Sequence, residues 1–214
     1  MPLVCCFLSF FLVFMNNIGR SEENQGKVVE LRSGTLERFS SKGWEALKKG
    51  SVVSFGDRIR TRKSSLAILE LPNIGRFVIG PESEIRLGKE IKNFNSEMAR
   101  GEVWMKSSLA KGSKASITTS LATAGIRGTN FSVLFYGDKD LCVCTCVGDV
   151  SVTLTNGKTI QVPGASIYVM HKDTPPPEKP ESSVPLLEEK GKGFDFCFNC
   201  HIEEGKGKLK QNWE

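Results

Sequence analysis

Short runs in which apolar and polar residues alternate, separated by glycine-containing turns, fill the chain from Val28 to Val169. Alternation with a period of two is typical of half-buried β-strands, and many short strands at regular spacing predict an all-β domain. We expect strands at residues 27–31, 51–55, 58–60, 66–71, 76–79, 84–87, 102–106, 114–118, 129–135, 141–146, 149–153, 159–162 and 166–170. The predicted fold is a single all-β domain of short strands, arranged as a β-roll or solenoid, or as a sandwich.

One hairpin and two helical turns can be placed within this pattern. The hairpin spans Ser151 to Gln161, where Asn156-Gly157 suits a type I′ turn between two strands. Residues 43–49 and residues 94–100 could each form one turn of helix. Apart from these turns, we expect the body of the chain to consist of strands and loops.

The amino-terminal end differs in composition from the body. Leu3 to Met15 is an almost unbroken apolar run. Its helical length of about 20 Å is short of the ~30 Å core of a bilayer and is typical of a signal peptide. Residues 1–20 are therefore expected to be a helical signal peptide or, alternatively, a short uncleaved anchor. Either interpretation places the body outside the cytoplasm, in the periplasm or another extracytoplasmic space.

The carboxy-terminal end changes composition again. After the body at residues 27–170, the segment 171–193 contains Pro175-Pro176-Pro177, which predicts an extended linker. The linker leads to a tail at residues 194–214, expected to be disordered, which carries a Cys-x-x-Cys-His motif.

The charge distribution does not favour nucleic-acid binding. The formal net charge is +5, and the basic residues are scattered, with dense groups such as Arg58 to Lys63 and Lys206 to Lys210. Such groups are usually solvated faces, and no nucleic-acid-binding motif accompanies them. We expect no nucleic-acid partner, and membrane contact only through residues 1–20.

An ordered set of short motifs follows the predicted strands. It consists of Gly56-Asp57-Arg58-Ile59-Arg60-Thr61, Gly80-Pro81-Glu82-Ser83-Glu84-Ile85-Arg86-Leu87, Gly125-Ile126-Arg127-Gly128-Thr129-Asn130-Phe131-Ser132-Val133 and Gly148-Asp149-Val150. In this order the motifs resemble the FecR family of extracytoplasmic sensor domains, over about residues 28–169. The resemblance implies a β module that binds a protein or ligand in envelope sensing or scaffolding, with an envelope protein as partner.

Two features depart from the family pattern. Regulators of this family that control sigma factors carry a cytoplasmic segment before a membrane span, whereas only about 20 residues precede the body here. The usual Thr-Pro ahead of the Arg-Gly-Thr strand reads Thr119-Ser120. We therefore expect the extracytoplasmic module without direct transcriptional control.

The motif residues indicate mainly structural roles. Corners between strands favour positive φ, which predicts this conformation at Gly56, Gly125, Gly128 and Gly148. Asp57 can accept a hydrogen bond from the backbone of its own turn, and Thr61 and Thr129 favour strand geometry. Arg127 lies between two glycines, and its guanidinium either ties loops together or binds an anionic ligand.

The tail motif Cys197-Phe198-Asn199-Cys200-His201 fits covalent attachment of a c-type haem. The thiols of Cys197 and Cys200 would bond the porphyrin, and His201 would ligate the iron. His171 or Met170 would supply the distal ligand. The alternatives are a Cys197–Cys200 disulfide or redox pair, a metal such as zinc, or a chance match to the motif. No cofactor is expected in the β domain itself.

Three further cysteines, Cys142, Cys144 and Cys146, alternate along a predicted strand. A period of two places all three thiols on one face, about 6.5–7 Å apart. This spacing is too long for a disulfide between neighbours. The thiols either pack as small apolar groups, or form a thiol cluster together with Cys197 and Cys200 for metal or haem chemistry.

No catalytic arrangement is visible in the sequence. The two histidines, His171 and His201, both lie outside the predicted body, and no phosphate-binding loop, dinucleotide-binding fingerprint or His-Glu-x-x-His motif is present. We predict an exported, non-catalytic binding module. The alternative is a periplasmic redox protein that carries haem c on its tail.

Overall fold

A computed structural model describes residues 24–183, apart from residues 127 and 138. In this part of the chain the secondary structure consists of strands, and no helix is present. The strands are β1 Gln25–Ser33, β2 Leu36–Ser40, β3 Gly43–Leu47, β4 Val52–Ser54, β5 Arg58–Thr61, β6 Leu66–Leu71, β7 Gly75–Ile79, β8 Glu84–Arg86, β9 Asn93–Ser107, β10 Lys114–Thr118, β11 Ala122–Ile126, β12 Asn130–Tyr136, β13 Asp140–Val147, β14 Asp149–Leu154, β15 Thr159–Pro163, β16 Ser166–His171 and β17 Glu181–Ser182. The predicted all-β fold is confirmed.

The strands form two sheets that share one long strand. The first sheet has the order β4-β1-β6-β7-β9-β12-β13-β16-β17. The second sheet has the order β3-β2-β5-β8-β9-β10-β11-β14-β15. Strand β9 pairs with β10 in parallel, whereas the other described pairs are antiparallel.

The main apolar cluster takes its members from both sheets. Alternate residues of each strand point inward, as the period of two requires. The first sheet contributes residues such as Leu69, Phe77, Val103, Phe131 and Val143, and the second contributes residues such as Leu36, Ile59, Phe94, Val150 and Val152. The arrangement therefore corresponds to the sandwich alternative, with the core between the two sheets.

The shared strand passes from the second sheet to the first at Gly101, which has φ 100°. A Cβ atom at this position would lie 2.2 Å from the Cα atom of Ser83. The Ser83 hydroxyl fills the corner, because it donates to the carbonyl of Gly80 at 2.9 Å and accepts from the amide of Glu102 at 2.8 Å. Only glycine allows both the close approach of Ser83 to position 101 and the positive φ angle there.

Both predicted helical turns are wrong. Residues 43–47 form β3, in which Trp44 pairs with Phe39 of β2. Residues 94–100 belong to β9, which pairs with β8 and β10. Residues 94–100 did not read as a strand because the buried Ser96 interrupts the apolar alternation of this part of β9. Residues 43–49 did not, because β2 and β3 pair through half-exposed side chains. Pairing between distant strands thus overrides weak local signals.

The predicted hairpin is present as β14 and β15, but its turn is not type I′. That turn needs positive φ at both central residues, and Asn156 is not among the non-glycine residues with positive φ. The amide of Gly157 donates to the carbonyl of Leu154 at 2.9 Å, and the amide of Leu154 donates to the carbonyl of Lys158 at 2.8 Å. With φ 85° at Gly157, this geometry is a type I turn followed by a glycine bulge.

The ends of the body differ slightly from the predicted bounds. Strand β1 begins at Gln25, and residues 181–182 of the predicted linker form β17, which pairs with β16. The predicted signal helix at 1–20 and the predicted tail at 194–214 lie outside the described residues. Across residues 24–183, no helix is long and apolar enough to cross a membrane.

Candidate functional site

The outward face of the second sheet carries arginines, glutamates and aromatic rings on β2, β3, β5 and β8. Leu36, Ile59 and Ile85 of these strands point into the core. Their neighbours along each strand must point outward, because side chains alternate between the two faces of a sheet. We call the set formed by Phe39, Trp44, Arg58 and Arg60, together with Glu37, Arg62 and Glu84, the arginine–aromatic surface.

Cation–π contacts organise the centre of this surface. The guanidinium carbon of Arg60 lies 3.8 Å from the centroid of the Trp44 ring. The guanidinium carbon of Arg58 lies 5.4 Å from the same ring and 5.6 Å from the Phe39 ring. Phe39 and Trp44 meet edge to face, with centroids 5.3 Å apart. Such contacts attract guanidinium groups to the faces of aromatic rings.

Carboxylates fix the arginines from the other side. Nε of Arg60 donates to Oε2 of Glu37 at 2.6 Å, and Nε of Arg62 donates to the same oxygen at 2.7 Å. Nε of Arg58 donates to Oε1 of Glu84 at 2.6 Å. The hydrogen bond from Arg60, reinforced by Arg62, holds the pKa of Glu37 below its ordinary value. Glu37 therefore stays ionised at neutral pH, and the arginines are held in defined positions.

The surface remains accessible to a partner. Phe39 is 49% exposed, which is high for a large apolar side chain. The side chain of Arg62 is 54% exposed and that of Arg58 is 41% exposed. Arginine, tryptophan and other aromatic residues are the side chains that most often dominate the binding energy of protein interfaces.

The same face continues across β9, β10 and β11 with small polar side chains. The hydroxyls of Ser116 and Thr118 both donate to Oδ1 of Asn95, at 2.8 and 2.9 Å. The hydroxyls of Thr118 and Thr123 lie 3.1 Å apart. These groups satisfy one another at the centre of this half of the face. Glu97 and Lys114 are charged residues on the same side of β9 and β10, but no arginine–aromatic contact lies there among the described residues.

Of the motif residues that the sequence singles out for structural roles, Gly56, Asp57, Thr61, Gly128, Thr129 and Gly148 lie away from this surface, at turns between strands. The Thr61 hydroxyl donates to the carbonyl of Gly80 at 2.6 Å and accepts from the amide of Ser83 at 3.0 Å. Oδ2 of Asp57 accepts from the amide of Ser54 at 2.8 Å, as predicted for its own turn. The Thr61 contacts tie β5 to the connection between β7 and β8, and the Asp57 contact closes the turn between β4 and β5.

A second corner joins the end of β9 to the start of β12. The amide of Thr129 donates to the hydroxyl of Ser107 at 2.7 Å, and that hydroxyl donates to the carbonyl of Thr129 at 2.8 Å. A Cβ atom at Gly148 would lie 2.7 Å from Cγ2 of Thr129. Thr129 and Gly148 therefore close the corner around Ser107.

Three of the four glycines have the predicted conformation. The φ angles are 86° at Gly56, 70° at Gly128 and 83° at Gly148. Gly125 does not have positive φ: it lies inside β11, paired with Ser116 and Ser151, where extended backbone is required. The prediction for Arg127 lies outside the described residues.

The three strand cysteines share one face of β13, as predicted. Cys142, Cys144 and Cys146 are buried in a second apolar cluster, on the face of the first sheet opposite the main core. Among the described residues, no three His, Cys, Asp or Glu side chains lie close enough together to hold a metal ion. Cys197, Cys200 and His201 lie outside that range.

The two predicted distal ligands differ in their surroundings. Met170 is 7% exposed and belongs to the main apolar cluster. The side chain of His171 is 59% exposed, and its Nδ1 lies 2.6 Å from Oδ1 of Asp140. With Nδ1–H donating to the carboxylate, the Nε2 atom of His171 is left as an acceptor.

Sequence reasoning missed the arginine–aromatic surface. The alternation of Arg58, Ile59 and Arg60 indicates a strand with one polar face, but a basic group of this kind is typical of solvated surface. Phe39 lies outside every predicted strand, and Trp44 lies in a predicted helical turn. Aromatic residues flanking a short turn, followed by alternating arginines, were the available signal.

The fold defines a class of protein, a β-sandwich module, which here carries the arginine–aromatic surface on the outward face of its second sheet. More specifically, residues 57–158 match the family model for the FecR protein. The resemblance found in the sequence motifs is thereby confirmed. The FecR family is of a regulatory kind, whose members are typically extracytoplasmic sensors.

Solved structures share the fold. Two crystal structures of a candidate anti-sigma factor from Parabacteroides distasonis ATCC 8503, at 1.65 and 2.50 Å resolution, are each 17% identical to this chain with a TM-score of 0.54. The similarity covers 63% of this chain and 64–65% of those chains, just under two thirds of their length. No curated protein matches this sequence.

Proposed function

We propose that this protein is an exported, non-catalytic sensing module that binds an envelope protein through the arginine–aromatic surface. The stacking of Arg60 on Trp44 at 3.8 Å, beside the exposed ring of Phe39, is the observation that supports this proposal most directly. Export is supported by the apolar run in residues 1–20 and by the usual location of the FecR family. The family's regulatory kind supports a role without catalysis.

Preorganisation is the physical reason to favour a protein partner. A flexible arginine loses about 0.5–1.5 kcal/mol of rotamer entropy when an interface immobilises it. Arg60 is already held by Trp44 and Glu37, and Arg58 by Glu84. A partner with carboxylates or carbonyl groups therefore meets positioned donors, while the Phe39 ring offers apolar area.

The proposal is tested by photo-crosslinking in cells. A photoreactive amino acid replaces Phe39 in the full chain, and a matched variant carries it at Lys158, an exposed position in the β14–β15 turn. We expect a covalent adduct with an envelope protein from position 39 and not from position 158. With the same probe, Arg60→Ala should weaken the adduct more than tenfold, since hot-spot truncations cost about 2 kcal/mol or more. Equal adducts from both positions, or none from position 39, would overturn the proposal.

A second candidate function, electron transfer by a haem c attached at Cys197, Cys200 and His201, is favoured by one observation. The imidazole of His171 is exposed and oriented by Asp140, an arrangement that is common for metal-ligating histidines. Intact-mass measurement and haem staining of the exported protein show whether haem is covalently attached to the chain. One haem per chain, lost in Cys200→Ala, supports the redox function, and colourless protein rejects it.

A further inference from the structure

Strand β3 is an edge strand, which among the described strands pairs with β2 alone. The hydrogen bonds of β2 show which backbone groups of β3 face outward. The amide of Arg62 donates to the carbonyl of Thr35 at 3.1 Å, so the backbone groups of Thr35 and of Glu37, two residues later, face β5. Successive residues of an antiparallel strand direct their backbone groups to opposite sides. Those of Leu36 and Arg38 therefore face β3.

The same alternation fixes the orientation of β3. Leu36 and Arg38 pair with Leu47 and Glu45, whose backbone groups must face β2 in return. The amides and carbonyls of Trp44 and Ala46 therefore point to the outer edge of the sheet. Within residues 24–183, no backbone hydrogen bond reaches either residue from another strand, turn or loop, and Ala46 is exposed. This edge can pair with a further strand.

The other described sheet edges are less suited to this. Strand β4 has three residues, and the carbonyl of Val52 in it accepts from Nη1 of Arg38 at 3.4 Å. Strand β17 has two residues. Strand β15 is as long as β3, but it ends at Pro163, which has no amide hydrogen, and it carries no charged or aromatic side chain. The edge of β3, by contrast, adjoins the arginine–aromatic surface through Trp44.

Unpaired positive charge lies at both ends of β3. Lys42 precedes the strand, and Lys48 and Lys49 follow it. All three are exposed, and none of them forms an ion pair with another described residue. Six strand steps separate Lys42 from Lys48, or about 20 Å. A segment added to this edge is therefore favoured by carboxylates near its two ends.

The same charges oppose pairing between two copies of this chain. If β3 of one copy paired antiparallel with β3 of another through the outward groups of Trp44 and Ala46, Lys42 would lie opposite Lys48. In the same register Glu45 would lie opposite Glu45 of the other copy. Like charges directly across a strand pair are destabilising, and lysine is a common protection of sheet edges against self-association. The charges thus favour an acidic segment over a second copy.

We propose that β3 accepts an extended acidic segment of the envelope partner as an added strand. This inference rests on the proposed function, because Trp44 belongs to the arginine–aromatic surface. The backbone of the segment pairs with Trp44 and Ala46, and its carboxylates lie near Lys42 at one end and near Lys48 and Lys49 at the other. An apolar side chain on its outward face contacts the Trp44 ring. Main-chain pairing supplies affinity in such strand addition, and the alternate side chains supply specificity.

The first test uses defined peptides and hydrogen exchange measured by NMR on the full chain. The probe is the acetylated peptide Glu-Glu-Val-Thr-Val-Glu-Glu. In excess, it should slow exchange of the Trp44 and Ala46 amides by about tenfold or more, because both become paired. The peptide with lysine in place of each glutamate, and the acidic peptide with methylated backbone nitrogens, should have no such effect. Unchanged exchange at both amides, or equal slowing by the lysine peptide, would overturn the proposal.

The second test removes one edge amide in cells. Ala46→Pro deletes a donor that faces the outer edge, and the photo-crosslinked adduct from position 39 should fall by about tenfold or more. Gln161→Pro is the matched control. The amide of Leu154 donates to the carbonyl of Lys158, so the same alternation directs the amide of Gln161 to the open edge of β15. This variant should leave the adduct unchanged. Circular dichroism confirms that both variants keep the β fold.

The outcomes separate this inference from the proposed function. An undiminished adduct in folded Ala46→Pro would overturn strand addition and leave the arginine–aromatic surface as the binding site. A missing adduct in the wild type would overturn the proposed function and this inference with it.

Charge reversal keeps the inference decidable if Ala46→Pro does not fold. Changing Lys42, Lys48 and Lys49 together to glutamate should lower the adduct to a similar extent. The matched control changes three exposed lysines in other parts of the domain to glutamate, namely Lys111, Lys158 and Lys172. Equal adducts from the two triple variants would overturn the inference.

Discussion

Single residues of the arginine–aromatic surface are held by partners on neighbouring strands. Arg60 on β5 contacts both the Trp44 ring on β3 and the Glu37 carboxylate on β2. Arg58, on the same strand, is held by Glu84 of β8. The Arg60 and Glu37 side chains are only 16% and 15% exposed, so their pair contributes to stability as well as to positioning. Arg58 and Arg62 are more exposed, and an exposed ion pair alone contributes little, about 0–1 kcal/mol, so their pairs matter mainly for positioning.

The paired carboxylate gives a pH dependence with a definite sign. The pKa of Glu37 is lowered in the folded protein from its ordinary value of 4.5. The ionised group therefore contributes stability above pH 4.5, and this contribution is lost as the pH falls through the lower folded pKa. The free energy of unfolding of Glu37→Gln should be below that of the wild type at pH 7, and the two should converge below pH 4.5.

Chemical denaturation at several pH values measures this convergence. Glu90→Gln removes an exposed carboxylate of the same domain and should show a smaller difference from the wild type at neutral pH. A constant gap between wild type and Glu37→Gln as the pH is lowered from neutral to well below 4.5 would show that the carboxylate charge is not responsible.

Valine substitutions at two glycines of one motif distinguish the cost of backbone strain from the effect of valine in an ordinary strand. Gly128 has φ 70°, and a Cβ atom added there would have no atom within 4 Å, so strain alone opposes substitution. We expect Gly128→Val to cost about 1–3 kcal/mol, or roughly 5 °C in melting temperature. Gly125→Val is the control, because Gly125 has ordinary strand backbone and the nearest atom to an added Cβ is 3.6 Å away. Equal melting temperatures for the two variants would contradict the prediction.

At the level of elements, strand β9 joins the two sheets into one structure. Its first half pairs with β8 and β10, and its second half pairs with β7 and β12. The turn at Gly101 allows both halves to keep their hydrogen bonds while the strand changes sheets. Packing at this point couples the two halves of the sandwich, since Ser83 contacts both the strand and the preceding connection.

Substitution at this turn should therefore be more harmful than at an ordinary turn glycine. Gly101→Ala combines positive φ with a clash against Ser83, and we expect a loss of about 3 kcal/mol or more. Gly112→Ala has the same kind of backbone, φ 81°, but open space around it, and should cost about 1–2 kcal/mol. Urea denaturation compares the two, and a larger loss at Gly112 would refute a special role for the corner.

At the level of the whole molecule, the chain alternates between sheets and leaves two unlike outer faces. The second sheet presents charged, aromatic and small polar groups outward, and the first presents a buried apolar cluster. The charged and aromatic face is the one that suits a protein partner, because it combines exposed rings with positioned guanidinium groups.

Much of the fold was predictable because strands such as β6, β10 and β14 bury every second residue in one core. Short-range alternation carries that information directly. Strands β2 and β3 were not predicted, because their pairing depends on Phe39 meeting Trp44 across the sheet. The same contacts make the candidate site, so missing those strands also hid the site.

The sequence by itself determined the all-β class and the placement of Cys142, Cys144 and Cys146 on one face, because both depend on the local period of two. It also determined the resemblance to the FecR family, because that depends on residue identity in short motifs. Tertiary structure decided that Gly125 is an ordinary strand residue, that β9 serves both sheets, and that Arg60 stacks on Trp44. Those features depend on which distant strands become neighbours, and a local pattern of apolar and polar residues does not encode that choice.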